Sequence, residues 1–335
     1  MVVARGVRSW IAAALIFVAG MVVADSRSAL AQGDPAAGWP KQPIKIVIGF
    51  PPGGGNDILA RVYAQKISER LGQPVVIENK PGANGFIAAE MVARAVPDGY
   101  TLLLGPSGTL TFAPAVFSKL PYDPQKSFEP IGILGRFPLV IAVNGDLNIK
   151  TVAELVGWAK ANPGKANYGS TSPAFQLPTE LFKSKTGIEA VHIPFKGSAE
   201  KMTAVANGQI SFAFVDPGPT TAHVKSGKVR VIATTGSKRT VEFPDVPTLA
   251  EAGIGGIDVE IFGGLLAPKG TPTAIIRRLE AEVETASKAP DLIERLRGLS
   301  IPVSDIRAEG FAKLISLEIP LWAEVAKKAG IKLEQ

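Results

Sequence analysis

No cysteine occurs among the 335 residues, which excludes disulfides, thiolate metal sites and a cysteine nucleophile. Histidine is scarce too. His192 and His223 each stand without a Cys, His or carboxylate at ligand spacing, so packing is their expected role and no metal site or cofactor is expected. The chain has no G-x-S-x-G elbow to pair with a histidine base, so no catalytic residue is named and the sequence points away from an enzyme. Aromatics make up 7% of the residues, and none is interleaved with a basic block, so nucleic acid is not an expected partner. No run beyond residue 24 is apolar enough to span a membrane.

The first 31 residues read as a signal peptide rather than as part of the fold. Arg5 and Arg8 precede an apolar run from Trp10 to Ala24 that is short for a membrane span, and Ala29-Leu30-Ala31 offers a small-residue cleavage site. Export to the periplasm follows. The mature chain keeps 33 basic and 29 acidic residues, a net charge of +4, which is compatible with a small anionic ligand and calls for no polyanionic partner. With 46% hydrophobic residues, its core suffices without disulfides.

Glycine-rich turns between short apolar runs dominate what remains. Ile44-Lys-Ile-Val-Ile48 reads as a strand, and Phe50-Pro-Pro-Gly-Gly-Gly-Asn-Asp57 opens a helix whose apolar face includes Leu59, Val62, Tyr63 and Ile67, with Gly72 as its stop. Such a loop exposes amides at a helix N-terminus and attracts an anion. It lacks both a Gly-Lys-Ser/Thr ending and G-x-G-x-x-G spacing, so nucleotide binding is disfavoured. Val75–Ile77, the turn Asn79–Gly85, a helix to about Ala95 and the strand Thr101–Leu104 repeat the β-turn-α unit. This alternation predicts an α/β fold of parallel-rich sheets flanked by helices, with ligands beyond the C-terminal strand ends.

A second unit begins near residue 150, where Thr151 and Glu154 form a capping box. Turns follow at Ser170–Pro173, Phe195–Ser198 and Asp216–Pro219. Two apolar runs, 131–143 and 257–267, are expected to cross between the units. Domain 1 is therefore assigned to residues 32–137 and 264–335, and domain 2 to residues 138–263.

The ordered set Pro43-Ile-Lys-Ile-Val47, Phe50–Asp57, Glu78-Asn-Lys-Pro-Gly-Ala-Asn-Gly85, Pro97-Asp-Gly-Tyr-Thr-Leu-Leu103, Pro194-Phe-Lys-Gly197, Pro244–Gly253 and Ala267–Pro272 resembles the Bug-type solute-binding receptors of tripartite tricarboxylate transporters. The resemblance covers essentially the whole mature chain. It implies a two-domain type II periplasmic binding-protein fold joined by two crossing strands. It further implies a monomer that closes on a small carboxylate and delivers it to membrane transporter subunits.

By match to the family's turns, the ligand-binding residues are expected to be Gly54, Gly55, Asn56, Asp57, Ala83, Asn84, Gly85, Phe86, Ser107 and Thr109 in the first domain, and Ser170, Thr171, Lys196, Gly197 and Asp216 in the second. Asp57 and Asp216 either face the ligand or cap the helices that follow. Lys196 either meets a far carboxylate of the ligand or is solvated, and Phe86, Phe175 and Phe262 either wall an apolar pocket or fill the core. Departures from the family pattern at Phe86, at Ser172–Phe175 and at Ile261–Leu265 weaken the case for a citrate-type polyanion and favour a carboxylate with an apolar or aromatic body. Presentation to a membrane sensor kinase and an α/β enzyme are the alternative functions.

Overall fold

The computed structural model describes residues 38–299, 301–328 and 330–331; the expected signal peptide lies outside them. Strand β1 (Ile44–Ile48) buries Ile44, Ile46, Val47 and Ile48, while Lys45 reaches out to Glu78 at 2.7 Å. It is flanked in parallel by β2 (Val75–Asn79) and β3 (Thr101–Pro106). Helix α1 (Gly55–Leu71) connects β1 to β2 and stops at Gly72, whose φ of 65° continues no helix. Helix α2 (Phe86–Ala93) and the one-turn α3 (Ala113–Val116) follow.

The first apolar run is two strands, not one. β4 (Phe128–Pro138) belongs to the first sheet and β5 (Val140–Asn144) to the second, so the chain changes sheets at Leu139. The second sheet adds β6 (Asn167–Ser170), β7 (Val191–Pro194), β8 (Phe212–Val215) and β9 (Val229–Thr234). Its helices are α4 (Val152–Ala161), α5 (Pro173–Thr186), α6 (Ser198–Ala206) and α7 (Pro217–Lys225). The expected capping box opens α4: Thr151 Oγ1 accepts from Glu154 N at 3.1 Å, and the Glu154 carboxylate accepts from Thr151 N at 3.2 Å. The chain then returns through β10 (Glu260–Pro268), α8 (Thr273–Ser287), α9 (Pro290–Arg297) and α10 (Ala308–Lys328), which runs through Pro320.

The two sheets share one plan. Their orders are β2-β1-β3-β10-β4 and β7-β6-β8-β5-β9, with three parallel strands on one side and β10 or β5 antiparallel to both of its neighbours. In each sheet the antiparallel strand is the one that arrives from the other. The first core packs Phe86, Leu103, Phe262 and Phe311, and the second Val140, Met202, Val205, Ala213 and Val231. Each such side chain contributes about 1.5–3 kcal/mol by leaving water. Gly264 in β10 is required by this packing, because a Cβ there would overlap the Phe311 ring.

Thr235 ties the two crossing segments together. Its hydroxyl accepts from Leu139 N at 2.9 Å and donates to Val259 O at 2.6 Å, and its own amide donates to Leu139 O at 2.8 Å. Thr235→Val preserves volume but leaves the buried Leu139 amide without this acceptor, so a loss of about 1–3 kcal/mol is expected in urea denaturation. Unchanged stability would show that the crossing is held by other contacts.

Candidate functional site

The two sheets bring their turns together around a cleft. One chamber of about 470 Å³ is bounded by Gly49, Phe50, Pro51 and Pro81–Gly85 on the first sheet's side, and by Thr171, Phe195 and Lys196 on the second's. It adjoins a chamber of about 490 Å³, with which it shares Ala83, Asn84, Thr171 and Phe195. The second chamber is closed by Phe86, Phe117, Ser170, Ser172, Pro173, Gln176, His192 and Pro194. These volumes suit small-molecule ligands. A third, tighter space of about 40 Å³ lies among Gly54, Gly55, Asn56, Ser107, Gly108, Ser172, Phe175, Ser198 and Asp216.

The turn 82–85 is the most constrained backbone in the cleft. Gly82, Ala83, Asn84 and Gly85 have φ of 144°, 44°, 55° and 86°, four successive residues in the positive region. Ala83 is the costly one, at about 1–2 kcal/mol for an L-residue, and such strain persists only where surroundings impose it. Here Gly85 N donates to Gly82 O at 2.9 Å, Thr109 Oγ1 donates to Asn84 O at 3.3 Å, and the Gly85 backbone lies against Gly49. The Gly85 amide is committed to Gly82 O, and the turn leads directly into the N-terminus of α2, whose first amides have no partner within the helix and carry a partial positive charge. Lys196 is the one charged side chain that lines this chamber.

The first glycine turn behaves differently. Of its three glycines only Gly53 has positive φ, at 93°. Gly54 is an extended N-cap, with φ of −83° and ψ of 164°, and Gly55 begins the helix. Asp57 is therefore not the cap but the third helical residue, and it lines none of the three spaces. Its carboxylate accepts from Gly53 N at 3.1 Å, from Arg61 at 2.9 and 3.0 Å and from Asn79 at 3.0 Å. Burial pushes its pKa up, but the bonds from Arg61, Asn79 and Gly53 outweigh that and hold it below the ordinary value.

The anion facing Gly55 is the protein's own. Asp216 Oδ2 accepts from Gly55 N at 3.5 Å and from Ser198 Oγ at 3.1 Å, joining loops 161 residues apart. Asp216 is the N-cap of α7 by position, but its carboxylate bonds no amide of that helix. Burial raises its pKa, opposed by the charge of Lys201 and by the bonds from Gly55 and Ser198. Lys201 is completely buried; its ammonium donates to Phe214 O at 2.8 Å and lies 3.6 Å from the centroid of the Phe175 ring. Desolvation brings its pKa down to about 7 against the pull of Asp216.

The remaining expected residues divide between walls and supports. Ala83, Asn84 and Gly85, with Ser170, Thr171 and Lys196, border the larger chambers; Gly54, Gly55, Asn56, Ser107, Gly197 and Asp216 border the small one. Thr109 is buried behind the turn. Phe86 edges the second chamber yet is 2% exposed and packs edge-on against Phe117 at 5.2 Å. Phe175 walls the small space, whereas Phe262 is core, packed on Phe311 at 5.5 Å.

Residues that sequence reasoning did not assign to the cleft include Phe50, Pro51, Phe117, Ser172, Gln176, His192, Phe195 and Ser198. Phe195 and Ser198 flank a turn already singled out and were open to inclusion on that ground. His192 carried no local signal. It is half-buried, Nε2 lies 2.7 Å from Ser170 Oγ, and its ring lies 5.0 Å from that of Tyr168. Burial lowers its pKa and Lys183 acts in the same direction, with Glu180 opposing, so the imidazole is neutral at pH 7.

Two sheets of one plan, joined by crossing strands and enclosing a chambered cleft lined by loops of both, define a two-lobed solute-binding protein. The chain belongs to the tripartite tricarboxylate transporter family of receptors (TctC), whose family model matches residues 59–331. Receptors of this family are solute-binding proteins and not enzymes. Among solved structures the chain is similar to the periplasmic binding protein BugD, with 34% identity, TM-score 0.84 and coverage of 89% of this chain and 100% of that one. It is also similar to R. palustris Rpa4515, solved with adipate, at 32% identity, TM-score 0.85 and coverage of 89% and 100%. MatC from Rhodopseudomonas palustris, with bound malate, is 31% identical with TM-score 0.81 and coverage of 86% and 99%. Among the described residues no helix is long and apolar enough to cross a membrane.

Proposed function

We propose that this receptor works in the periplasm, captures a small carboxylate between its two lobes and passes it to the membrane subunits of a tripartite transporter. The first lobe is built on the sheet of β1–β4 and β10 and the second on that of β5–β9, so the proposed crossings fall at Leu139 and just before Glu260, close to the expected bounds 137/138 and 263/264. The observation that carries the ligand class is the turn 82–85, with its four successive positive-φ residues facing a chamber whose one charged wall residue is Lys196. A carboxylate seated there meets backbone amides and a cation, and keeps clear of Asp216 in the separate small space. The ligand's body then extends into the second chamber, where Phe117, Pro173, Pro194 and Phe195 offer apolar contact and no residue brings a fixed charge. An elongated acid fits this arrangement better than a compact polyanion such as citrate. Adipate and malate in the relatives agree with the carboxylate class.

A thermal-shift panel of citrate, succinate, glutamate, nicotinate, benzoate and terephthalate, each beside its amide, tests this reading. At 100 times the dissociation constant a ligand adds about 2.7 kcal/mol, which raises the melting temperature by on the order of 5 °C. Acids with an apolar body are expected to shift it and their amides are not. Amides that match the acids would remove the anion site. The largest shift from citrate, with none from the aromatic acids, would remove the apolar body.

A further inference from the structure

The cleft does not end at the second chamber. Past Ala83 and Phe86, which border both spaces, lies an open groove of about 390 Å³ between the start of α2 and the segment 119–121 that follows α3. Its walls are largely apolar. Phe86 turns into the first core, while Ile87, one residue on and about 100° further round the helix, turns out into the groove, which Leu120 and Pro121 also line. Ile87 is seated on Gly82, where an added Cβ would fall 2.6 Å from its Cδ1, yet it is 51% exposed. Met91, one turn along the same face, is 36% exposed. Large apolar side chains left in water at the end of a ligand chamber mark a surface that a ligand covers. The boundary at Phe86 is fixed, because its ring packs edge-on against Phe117 at 5.2 Å and Tyr122 at 6.0 Å, and the Tyr122 hydroxyl donates to Thr109 O at 2.7 Å. The groove's one carboxylate, Glu90, is paired with Arg94 at 2.7 Å, and Lys119 is exposed to solvent. Neither charge calls for a group on the ligand.

We propose that this groove is an outlet for an apolar tail, so that the receptor takes medium-chain monocarboxylates whose ends run past Phe86 and cover Ile87 and Leu120. This rests on the carboxylate reading above and extends it: the head stays at the turn 82–85, and the tail leaves the cleft instead of ending in it. A closed chamber sets an upper limit on ligand length, because an added methylene that finds no room forces the walls apart. An open apolar groove sets none, and each added methylene is withdrawn from water on one side.

Hexanoate, octanoate and decanoate, titrated calorimetrically against the full chain at pH 7.5, test the outlet. Full burial of a methylene is worth about 4-fold in affinity, and contact on one side of an open groove about 2-fold. Decanoate is therefore expected to bind about 10-fold or more tighter than hexanoate, with octanoate between them, and to displace hexanoate. In Ile87→Ser/Leu120→Ser the ratio of decanoate to hexanoate affinity should fall to about 3-fold or less. The ratio is the readout because a disturbed anion turn would weaken both acids alike. Decanoate that binds no tighter than hexanoate, or a ratio that survives the double substitution, overturns the outlet and leaves the carboxylate reading standing. Decanoate that binds without displacing hexanoate overturns it as well. No binding by any of the three at millimolar concentration overturns both.

Discussion

Gly49→Ala is expected to weaken carboxylate binding by on the order of 100-fold in a protein that still folds. A Cβ at Gly49 would overlap Gly85 Cα and come within 2.9 Å of Gly85 O and 3.1 Å of Gly85 C. All three atoms are backbone, so no rotamer change relieves the clash, and the turn 82–85 must shift as a unit. Overpacking of this kind costs about 1–3 kcal/mol of stability. Misplacing two amide–carboxylate hydrogen bonds, at about 1.5 kcal/mol each, costs on the order of 100-fold in affinity. Gly54→Ala is the control: Gly54 has ordinary extended dihedrals, and its added methyl meets only Ser198 Oγ at 3.7 Å. Calorimetry with any acid from the thermal-shift panel distinguishes the two. Normal affinity in Gly49→Ala would place the anion elsewhere in the cleft.

Lys201 governs the second large effect. Folded, it releases its proton near pH 7, against an ordinary value of 10.5. Between those two values the unfolded chain binds more protons, so Lys201 makes stability rise with pH across the window. The cost of burying its charge is fully present below about 7. The slope is about 1.4 kcal/mol per pH unit, or about 3 kcal/mol between pH 7.5 and 9.5. Lys201→Met is expected to remove that rise in urea denaturation.

Asp216 acts with the opposite sign. Its folded pKa is raised, so its contribution falls as pH increases from the ordinary 3.8 through the folded value. Removing Lys201 raises that pKa further, so Lys201→Met should be flat or falling over the same interval, and Lys201→Met/Asp216→Asn flat. A positive slope of wild-type size in Lys201→Met would mean that another group produces it.

The contrast between these two lysine and aspartate positions and their neighbours shows where local information stops. Lys201 sits on a helix whose sequence, Ser-Ala-Glu-Lys-Met-Thr-Ala-Val-Ala, marks it as a solvated position next to Glu200, yet it is completely buried because α6 lies against β8 and Phe175 covers the ammonium. Asp216 reads as a helix cap, and its carboxylate instead crosses to Gly55. For Lys201 the only local trace is its place three and four residues before the buried Ala204 and Val205; for Asp216 the partner Gly55 is 161 residues away.

Short-range patterns determined a good deal. The period-two and period-3.6 alternation marked β1, α1 and β3 because strand and helix faces are set by neighbours a few residues away. Gly72 and the Thr151–Glu154 pair ended and began helices for equally local reasons. The ordered turn motifs identified the receptor family, since such motifs are contiguous in the chain. The tertiary structure alone decided which glycines need their missing side chain. Gly49 and Gly264 are excluded from any larger residue by Gly85 and Phe311, whereas Gly54 has room. It also decided that the apolar run at 131–143 breaks at Leu139, where Thr235 from 96 residues away supplies the partner. The same holds for the meeting of Ser170 with His192 and of Gly55 with Asp216. Burial and hydrogen bonding across the cleft depend on loops brought together by two sheets, and a linear pattern carries no record of that distance.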